Sequence, residues 1–585
     1  MKPLLRLLPY LKRHRRLLVI GAIAVVCSNL FTVAQPLLIG RAIDVLNAVL
    51  QKKEGTGGLA IYAVSVVGFS VIAGIFSFLT RQTLIVASRH IEFDLRNDFL
   101  AHCQRLSLSF FQNTPTGDLM AHATNDIGAV RNVVGPGIMY PADTLVTFVM
   151  VISVMLTLDW QLTLFALVPL PFVSYAVYRL GKIVHQKFEE RQATYSELTT
   201  RAQENLSGIR VVKAYVREQY EIGLFRTLSL EYLKKNLVLA RVQSIMWPLM
   251  FLLVGFSLIL TMYFGGRRVI SGEITTGTWT AFFVYLGMLI WPMIAFGWVI
   301  NMLQQGAASM GRLMKIMDTP PDITDGDTTD RTVTDISGAL EFRDVSFRHK
   351  GAERDTLEGI SLAVPAGTTL AIVGYTGSGK STLVNLLPRL MDVTGGTLLI
   401  DGKDIRTIPL AVLRSHIGYV PQETFLFSET IAENIRYGVD GGRDEGVREV
   451  ADIAQLGKDV VDFPHGYETI LGERGITLSG GQKQRTSIAR ALMRQPRILI
   501  LDDALSAVDT YTEEEILKRL RGVMKGRTSI LISHRISTVK EADMIIVLNE
   551  GRIAERGTHD QLVAQGGIYA ELHRKQLLED EIEHL

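Results

Sequence analysis

The sequence has little of two things that often identify the class of a protein, cysteine and net charge. Two cysteines, Cys27 and Cys103, occur in 585 residues, which excludes a disulfide framework and is what a reducing compartment allows. The formal net charge is +2, and the basic residues form no stripe that could follow a phosphate backbone. We therefore expect no nucleic acid among the partners.

Basic residues are concentrated before the first long apolar run. They are Lys2, Arg6, Lys12, Arg13, Arg15 and Arg16. The positive-inside rule places such residues in the cytoplasm. A cleavable signal peptide begins in the same way, but the apolar run continues from Leu17 to about Ile39 without a charge, and no small-residue cleavage site fits. The N-terminus is therefore predicted to be cytoplasmic.

Long apolar stretches dominate the first half of the chain. A helix needs about 20 apolar residues to cross the hydrocarbon layer of a membrane. Six stretches reach roughly that length: Leu17 to Ile39, Leu59 to Leu79, Ile138 to Leu158, Leu162 to Tyr178, Ile245 to Phe264 and Trp279 to Ile300. Between them, the charged segments Arg81 to Gly137 and Arg179 to Ser244 are predicted to continue the spans into the cytoplasm as paired helical rods.

The second half has the mixed texture of a soluble domain. A segment rich in Pro, Asp, Thr and Gly predicts a linker over residues 318–338, between a transmembrane domain at 1–317 and an α/β domain at 339–585. Strand-like runs then alternate with helical patterns, as in a parallel sheet. These runs are Ala339 to Phe347, Thr369 to Gly374, Gly418 to Val420, Ile498 to Leu501, Ser529 to Ser533 and Met544 to Leu548.

The strongest chemical signal is a phosphate-binding loop between a predicted strand and a predicted helix over Thr382 to Leu390. The pattern GxxxxGK[ST] is matched by Gly374-Tyr375-Thr376-Gly377-Ser378-Gly379-Lys380-Ser381-Thr382. Backbone amides at a helix start favour anions, Lys380 adds a charge at the β- and γ-phosphates, and the Ser381 hydroxyl can ligate Mg²⁺. Downstream, the apolar run from Ile498 ends at Asp502, a carboxylate that can also hold Mg²⁺.

A third element indicates a family. The segment Leu478-Ser479-Gly480-Gly481-Gln482, followed by a helical run from Lys483 to Leu492, resembles the signature of ATP-binding-cassette (ABC) proteins. Further segments resemble this family in order along the chain: Gln422 in the Q-loop VPQETFLF, Glu473-Arg474-Gly475 in the segment that senses the membrane domain, Ser506-Ala507-Val508-Asp509 in the D-loop, and His534 in LISHR as the switch histidine.

The first half resembles the exporter type of the same family. Phe110 to Leu119 and Glu204 to Lys213 are similar to its two cytoplasmic loops, so the resemblance covers nearly the whole chain. It implies ATP and Mg²⁺ as cofactors, with catalytic roles for Gln422, Asp503 and His534, and Mg²⁺ ligands at Ser381, Gln422 and Asp502. It also implies that ATP is held between the phosphate loop of one chain and the signature residues Ser479, Gly480, Gly481 and Gln482 of another, which makes a dimer necessary.

Two positions depart from the family pattern. Asp503 stands where the family usually has Glu, one methylene longer, which predicts slow hydrolysis at the site of this chain's own phosphate loop. The intact signature could complete a competent site on a partner chain, as in heterodimeric bacterial multidrug exporters; a sluggish homodimer is the alternative. His349 stands where a Tyr commonly stacks on adenine, and either such stacking or an ordinary surface histidine fits the sequence.

The sequence therefore predicts one half of an ATP-driven exporter or flippase of hydrophobic or amphipathic small molecules in the cytoplasmic membrane. The partners expected are a second half-transporter, membrane lipid and an apolar substrate. An ATP-gated channel or regulatory subunit is a further alternative. Asn29, Gln35 and Asp143 are polar positions in or near the first and third spans, and they are candidates for the transport pathway.

Overall fold

A computed structural model describes residues 2–51, 57–439, 441, 443–472, 475 and 477–583 of the chain. The chain divides into two compact units. The helical unit comprises Met1–Gln104 and Gly117–Asp318, and the α/β unit comprises Arg105–Thr116 and Thr319–Leu585.

The chain up to residue 317 is helical. Its α-helices are α1 (Leu8–Arg13), α2 (Arg15–Leu50), α3 (Gly57–Thr80), α4 (Val86–Cys103), α5 (Leu108–Asn113), α6 (Thr116–Ala121), α7 (Ile127–Val134), α8 (Pro136–Leu158), α9 (Trp160–Leu167), α10 (Leu170–Ser207), α11 (Ile209–Ala214), α12 (Glu218–Ile270), α13 (Thr276–Met288) and α14 (Ile290–Met317). Short π-helical segments, Arg81–Ile85 and His122–Asp126, join α3 to α4 and α6 to α7.

Three helical stretches of the described chain are long and apolar enough to cross a membrane: Arg15–Leu50, Gly58–Cys103 and Thr116–Leu158. The other three predicted spans also lie in helices, but two of them are interrupted. The fourth breaks between α9 and α10, where Pro169 is the N-cap and Pro171 lies in the first turn of α10. The sixth breaks at Leu289, just before α14, whose third residue is Pro292. The helices break at these points because proline lacks the N–H that a continuous helix needs. That all six stretches span the membrane remains a prediction.

Of the predicted rods, the pair over Arg179 to Ser244 is present as two long helices that lie side by side. Helix α10 continues well beyond its apolar run, and α12 begins well before its own. Arg201 of α10 donates to Glu221 of α12 at 2.5 Å, and Lys235 donates to Thr194 at 2.7 Å. The charged residues therefore hold the two helices together.

Helices α2 and α13 approach each other to backbone contact. A Cβ atom added at Gly277 would lie 1.9 Å from the carbonyl oxygen of Gly40, so only glycine fits there. The Asp44 carboxylate accepts the Gly277 N–H at 2.7 Å, and the buried Tyr285 hydroxyl donates to the Val33 carbonyl at 2.8 Å. Because an unpaired polar group in an apolar interior is costly, these bonds fix the position of α13 along α2.

The α/β unit contains two sheets. Its strands are β1 (Leu340–Phe347), β2 (Leu357–Val364), β3 (Thr369–Gly374), β4 (Gly395–Ile400), β5 (Lys403–Asp404), β6 (Ile417–Val420), β7 (Ile498–Asp502), β8 (Thr528–Ile532), β9 (Met544–Asn549) and β10 (Arg552–Gly557). One sheet has the order β2-β1-β4-β5 and is antiparallel, and the other has the order β10-β9-β3-β8-β7-β6. The second is parallel from β9 to β6.

Helices surround these sheets. They are α15 (Lys380–Asn385), α16 (Leu410–Ser415), α17 (Ile431–Arg436), α18 (Asp444–Ile453), α19 (Gly457–Val460), α20 (Gly480–Met493), α21 (Thr510–Met524), α22 (Ile536–Val539), α23 (His559–Gln565) and α24 (Ile568–Glu583). The six predicted strands correspond to β1, β3, β6, β7, β8 and β9, so the predicted helical domain joined to an α/β domain is present.

The predicted linker packs on the α/β unit instead of lying free. Val333 and Ile336 are buried there, and the Asp401 carboxylate accepts N–H groups from Ser337 and Ala339 at 2.6 and 2.9 Å. Asp330 pairs with Lys403 at 2.9 Å. Hydrogen bonds from Thr332 and Lys403 lower the pKa of Asp330 to about 2. Apolar burial and ionic contacts together hold this segment in place.

Candidate functional site

The phosphate-binding loop joins β3 to α15. Gly379, the N-cap of α15, has a left-handed backbone with φ +99°, and no side chain caps the helix. A Cβ atom there would lie 2.8 Å from Leu357 Cδ2 and 3.0 Å from the Thr356 carbonyl oxygen, so the loop requires glycine for both conformation and space. The first amides of α15 are therefore left for a ligand.

Lys380 is buried at the base of this loop, with 7% of its surface exposed. Its Nζ donates to the carbonyl oxygens of Gly374 and Tyr375, both at 2.9 Å. Burial lowers the pKa of Lys380, although the carboxylates of Asp502 and Asp503 act in the opposite direction. The ammonium is thus held within the loop, close to two acidic groups.

The residues present fit a bound phosphate chain. Among the described residues the buried hydroxyl oxygen of Ser378 has no hydrogen-bond partner, which is costly unless a ligand supplies one. Thr376 and Gly377 form the exposed tip of the loop, and Ser381 and Thr382 lie half-buried in the first turn of α15. An uncapped helix start, an unpaired hydroxyl and a buried ammonium are together suited to an anion.

The predicted metal ligands meet beside this loop. The Ser381 hydroxyl donates to Asp502 Oδ1 at 3.2 Å, and Asp502 is 2% exposed at the end of β7. Burial raises the pKa of Asp502, and so does the neighbouring Asp503, whereas Ser381, Lys380 and His534 lower it. A hydroxyl and a carboxylate at this separation suit a hard cation such as Mg²⁺; Ser381 and Asp502 would hold it, and it would neutralise charge on a bound phosphate.

The sheet order brings the other predicted catalytic residues to the same edge. In the parallel sheet, β3, β8, β7 and β6 are successive neighbours, so their carboxyl ends lie side by side. The phosphate loop follows β3, His534 follows β8, Asp502 ends β7 and Gln422 follows β6. Gln422 and His534 are both exposed.

Asp503 occupies a constrained position directly after β7. Its backbone is left-handed with φ +49°, its N–H donates to the Ile532 carbonyl at 2.9 Å, and its own carbonyl accepts from the Ser506 hydroxyl at 3.0 Å. Asp tolerates this conformation better than most residues. The side chain is half-buried and lies near Lys380 and Asp502, so the structure places it within the predicted site.

The signature segment begins helix α20 three residues before the predicted Lys483. The helix starts at Gly480 because Ser479 caps it: the Gln482 N–H donates to Ser479 Oγ at 3.3 Å, and the Ser479 N–H donates to Gln482 Oε1 at 3.0 Å. Ser479 and Gly480 are exposed, and Gly481 and Gln482 are half-buried. The start of α20 thus presents its glycines at the surface.

Two residues that sequence reasoning missed support these loops. The Gln484 amide donates to Ser506 Oγ at 3.0 Å and accepts the Ala507 N–H at 2.9 Å, which ties the signature helix to the D-loop. Asn434, 1% exposed, accepts the Phe427 N–H at 2.9 Å and donates to its carbonyl at 3.0 Å, which holds the segment after the Q-loop. The partners of Gln484 lie 22 and 23 residues away and that of Asn434 lies seven residues away, so no helix or strand periodicity marked either residue.

His349 lies in the connection between β1 and β2, half-buried and edge-on to Phe347 with ring centroids 4.9 Å apart. The Thr356 N–H donates to the Phe347 carbonyl at 2.7 Å, and Thr356 itself adjoins Gly379. The connection therefore starts and ends next to the phosphate loop, where adenine stacking by His349 remains a prediction. Of the predicted membrane-sensing segment, Glu473 and Arg474 lie outside the described residues.

The first predicted cytoplasmic loop is partly tied into the α/β unit. Ser107 and Ser109 donate to Asp322 at 2.8 and 3.0 Å, and Lys350 pairs with the same carboxylate at 2.6 Å. Helix α5 carries Phe110 and Phe111, whose rings meet edge-on. Asp322, a residue of the predicted linker, is therefore bonded both to the loop and to the β1–β2 connection.

Comparison with known proteins agrees with this arrangement. A family described as "ABC transporter transmembrane region" matches residues 18–293, and one described as "ABC transporter" matches residues 357–506. A probable multidrug resistance ABC transporter ATP-binding/permease protein of Bacillus subtilis is 38% identical over 96% of this chain and 95% of its own length. An ATP-dependent lipid A-core flippase of Syntrophus aciditrophicus is 38% identical over 88% of this chain and 85% of its own.

A solved structure of a bacterial Atm1-family ABC exporter with ATP bound matches with a TM-score of 0.80 at 29% identity, covering 96% of this chain and 99% of the other. The fold and the site define a nucleotide-binding ATPase fused to a membrane-helix unit. The chain belongs to the ABC transporters: it is an exporter-type half-transporter with a transmembrane region and an ATP-hydrolysing domain in one polypeptide.

Proposed function

We propose that this chain is one half of a heterodimeric exporter in the cytoplasmic membrane that moves hydrophobic or amphipathic small molecules outward, or flips them, at the expense of Mg·ATP. The N-terminus and the α/β unit lie in the cytoplasm. A relative named for multidrug resistance and one named as a lipid flippase support this substrate class. Membrane lipid is then both the surroundings and a source of substrate.

The observation that carries the heterodimer is Asp503. Its backbone is fixed by hydrogen bonds on both sides, so the shorter side chain cannot be compensated by a shift of the main chain. A displacement of about 1 Å at a group that positions an attacking water can cost on the order of a hundredfold in rate. This chain's own site therefore binds ATP and hydrolyses it slowly, while Gln422 and His534 retain their positions.

The signature supports a second, competent site. Its capping box is complete and Gly480 is exposed, so it can face the phosphate loop of another chain. A partner that carries Glu at the position of Asp503 would supply the base there. In this arrangement the two chains contribute unequally, and transport depends on hydrolysis at one of the two sites.

The ATPase rate of the purified full-length chain without a partner tests this proposal. We expect slow turnover for the wild type, and an increase of up to about a hundredfold for Asp503→Glu, because the longer carboxylate restores the reach to water. The left-handed backbone disfavours Glu, so the same variant should lose about 1 kcal/mol of unfolding free energy. Asp503→Asn, equal in size and uncharged, is the matched control and should stay slow.

Brisk turnover by the wild-type chain that Asp503→Glu does not increase would show that Asp serves adequately, as in a homodimer. A separate measurement addresses transport. Inside-out vesicles that contain this chain and its partner should accumulate a lipophilic dye only when ATP is hydrolysed, and flux without ATP would instead favour a gated channel.

A further inference from the structure

Helix α8 of the helical unit carries a polar stripe within the third predicted membrane span, Ile138 to Leu158. Tyr140, Asp143, Thr144 and Thr147 share one face of the helix, at the spacing i, i+3, i+4 and i+7. The same face continues into Val151 and Met155, which are fully buried. The exposed residues Leu145, Val149 and Leu156 mark a different face, the one suited to lipid. The polar stripe is therefore directed toward protein.

Asp143 lies at the depth of the hydrocarbon layer. The buried amide of Asn29 donates to Asp143 Oδ1 at 2.7 Å, and Asn29 lies near the middle of the apolar run from Leu17 to Ile39. Thr147 donates both to Asn29 Oδ1 and to the Asp143 carbonyl, the latter at 2.8 Å. A carboxylate bonded to this amide cannot be at the membrane surface.

The charge of Asp143 is not balanced within the part of the chain that the structure describes. None of the ion pairs among the described residues includes Asp143, and its carboxylate receives one hydrogen bond there, at Oδ1. The hydroxyl of Thr144, next in sequence, is buried and has no hydrogen-bond partner among the described residues. An ionised carboxylate in a membrane interior costs several kcal/mol unless it faces a cavity or a counter-charge, so a cation beside Asp143 would stabilise it.

An aromatic pair lies one helical turn from Asp143. Tyr140, three residues before Asp143 on the same face of α8, meets the ring of Trp298 of α14 edge-on, with centroids 5.1 Å apart. Trp298 is 49% exposed, so part of its indole is accessible. A carboxylate one turn from a partly exposed aromatic pair is a combination suited to an organic cation, through charge and through cation–π contact.

We propose that Asp143, with Tyr140 and Trp298, binds the positively charged group of a lipophilic organic cation on its way through the membrane half. Asn29 and Thr147 orient the carboxylate, and the cation supplies the missing counter-charge. The inference rests on the proposed export function and specifies its substrate class. A purely structural bond between α2 and α8 would be made equally well by an amide at position 143, which is why Asp143→Asn separates the two roles.

The test uses two probes of the same shape and opposite charge, tetraphenylphosphonium and tetraphenylborate. Binding is measured to the full-length chain in lipid nanodiscs without nucleotide, with empty nanodiscs to correct for partition into lipid. We expect the wild type to prefer the cation, and Asp143→Asn to weaken tetraphenylphosphonium binding by about tenfold or more without weakening tetraphenylborate binding. Asp143→Glu should retain the preference.

Glu197→Gln removes one charge from an exposed position of α10 and is the matched control, which should behave as the wild type. An unchanged unfolding temperature of each full-length variant verifies its fold. Equal affinity of Asp143→Asn and wild type for the cation overturns the proposal, as does a wild type without charge preference. The ATPase and vesicle measurements test the exporter itself, so a chain that binds the cation but exports nothing would retain this site and lose the proposed function.

Discussion

Two glycine-bearing helix starts of the α/β unit, those of α15 and α20, are built in opposite ways. Helix α15 begins at a left-handed glycine without a side-chain cap, and its lysine is buried among backbone carbonyls. Helix α20 begins with a complete capping box and exposes its first residues. The first start is incomplete without an anion, whereas the second is stable by itself and available to another molecule.

This difference explains how one sequence can hold a nucleotide and yet need a second chain to use it. The phosphate loop supplies binding energy from inside the fold, through amides that have no other partner. The signature adds a surface that matters only when a nucleotide on a different chain is brought to it. Changes at the two helix starts should therefore affect different measurements.

Removal of the buried charge should have the largest effect. Lys380→Ala is expected to weaken ATP binding by about a hundredfold, because charge-assisted hydrogen bonds are lost and the carbonyls of Gly374 and Tyr375 lose their donor. Titration of the full-length chain with a fluorescent ATP analogue measures this. Lys525→Ala, at an exposed lysine of the same unit, is the control. Undiminished binding by Lys380→Ala would remove the basis for the assigned site.

A charge at the start of α20 should weaken the association of two chains and leave ATP binding by a single chain intact. Gly480→Asp places a carboxylate at the exposed start of α20, where it stabilises the helix but repels a phosphate. We expect ATP-dependent dimerisation, measured by light scattering, to weaken by about tenfold. The ATP affinity of the single chain should be unchanged. Gly480→Ala adds the same Cβ atom without charge. Loss of ATP binding by the isolated Asp variant would contradict the separation of roles.

The smallest effect is a pH dependence confined to the phosphate-loop side. Burial raises the pKa of Asp502, and Mg²⁺ binds only the ionised carboxylate, so Mg·ATP affinity should fall as the pH drops through that raised pKa. The fall should begin above the usual carboxylate pKa of about 4. Titrations of ATP with and without Mg²⁺ at several pH values measure it. Asp502→Asn should abolish this dependence, and its survival in His534→Ala excludes the nearby histidine as its source.

Local motifs predicted the backbone of their own segments because each one specifies that backbone directly, whereas the roles of the site residues stay predictions. The phosphate loop, Asp502 and the signature all lie where their patterns indicated, and the order of parallel strands then brings Gln422 and His534 to the same edge. The predicted helix after the loop was too long: α15 ends at Asn385 and not at Leu390. The antiparallel strands β2, β4, β5 and β10 were missed, since they lack the continuous apolar runs of buried parallel strands.

The membrane half was predictable in outline and less so in detail. Apolar length located the helices, but the breaks before Leu170 and at Leu289 depend on proline positions that the predicted spans ignored. The pairing of Asn29 with Asp143 required the packing of α2 against α8, which joins residues far apart in sequence. The sequence showed Asn29 and Asp143 as separate polar residues, but it did not show the hydrogen bond between them.

The contact of Gly40 with Gly277 has a mechanical consequence. Where two backbones touch, no flexible side chains lie between the helices that could adjust if one helix moved along the other. The carboxylate of Asp44 also accepts the N–H of Gly277 near the start of α13. At this point α2 and α13 form a single rigid piece. Any change in the width of a passage through the helical unit must then come from movement between other helices, while α2 and α13 move together.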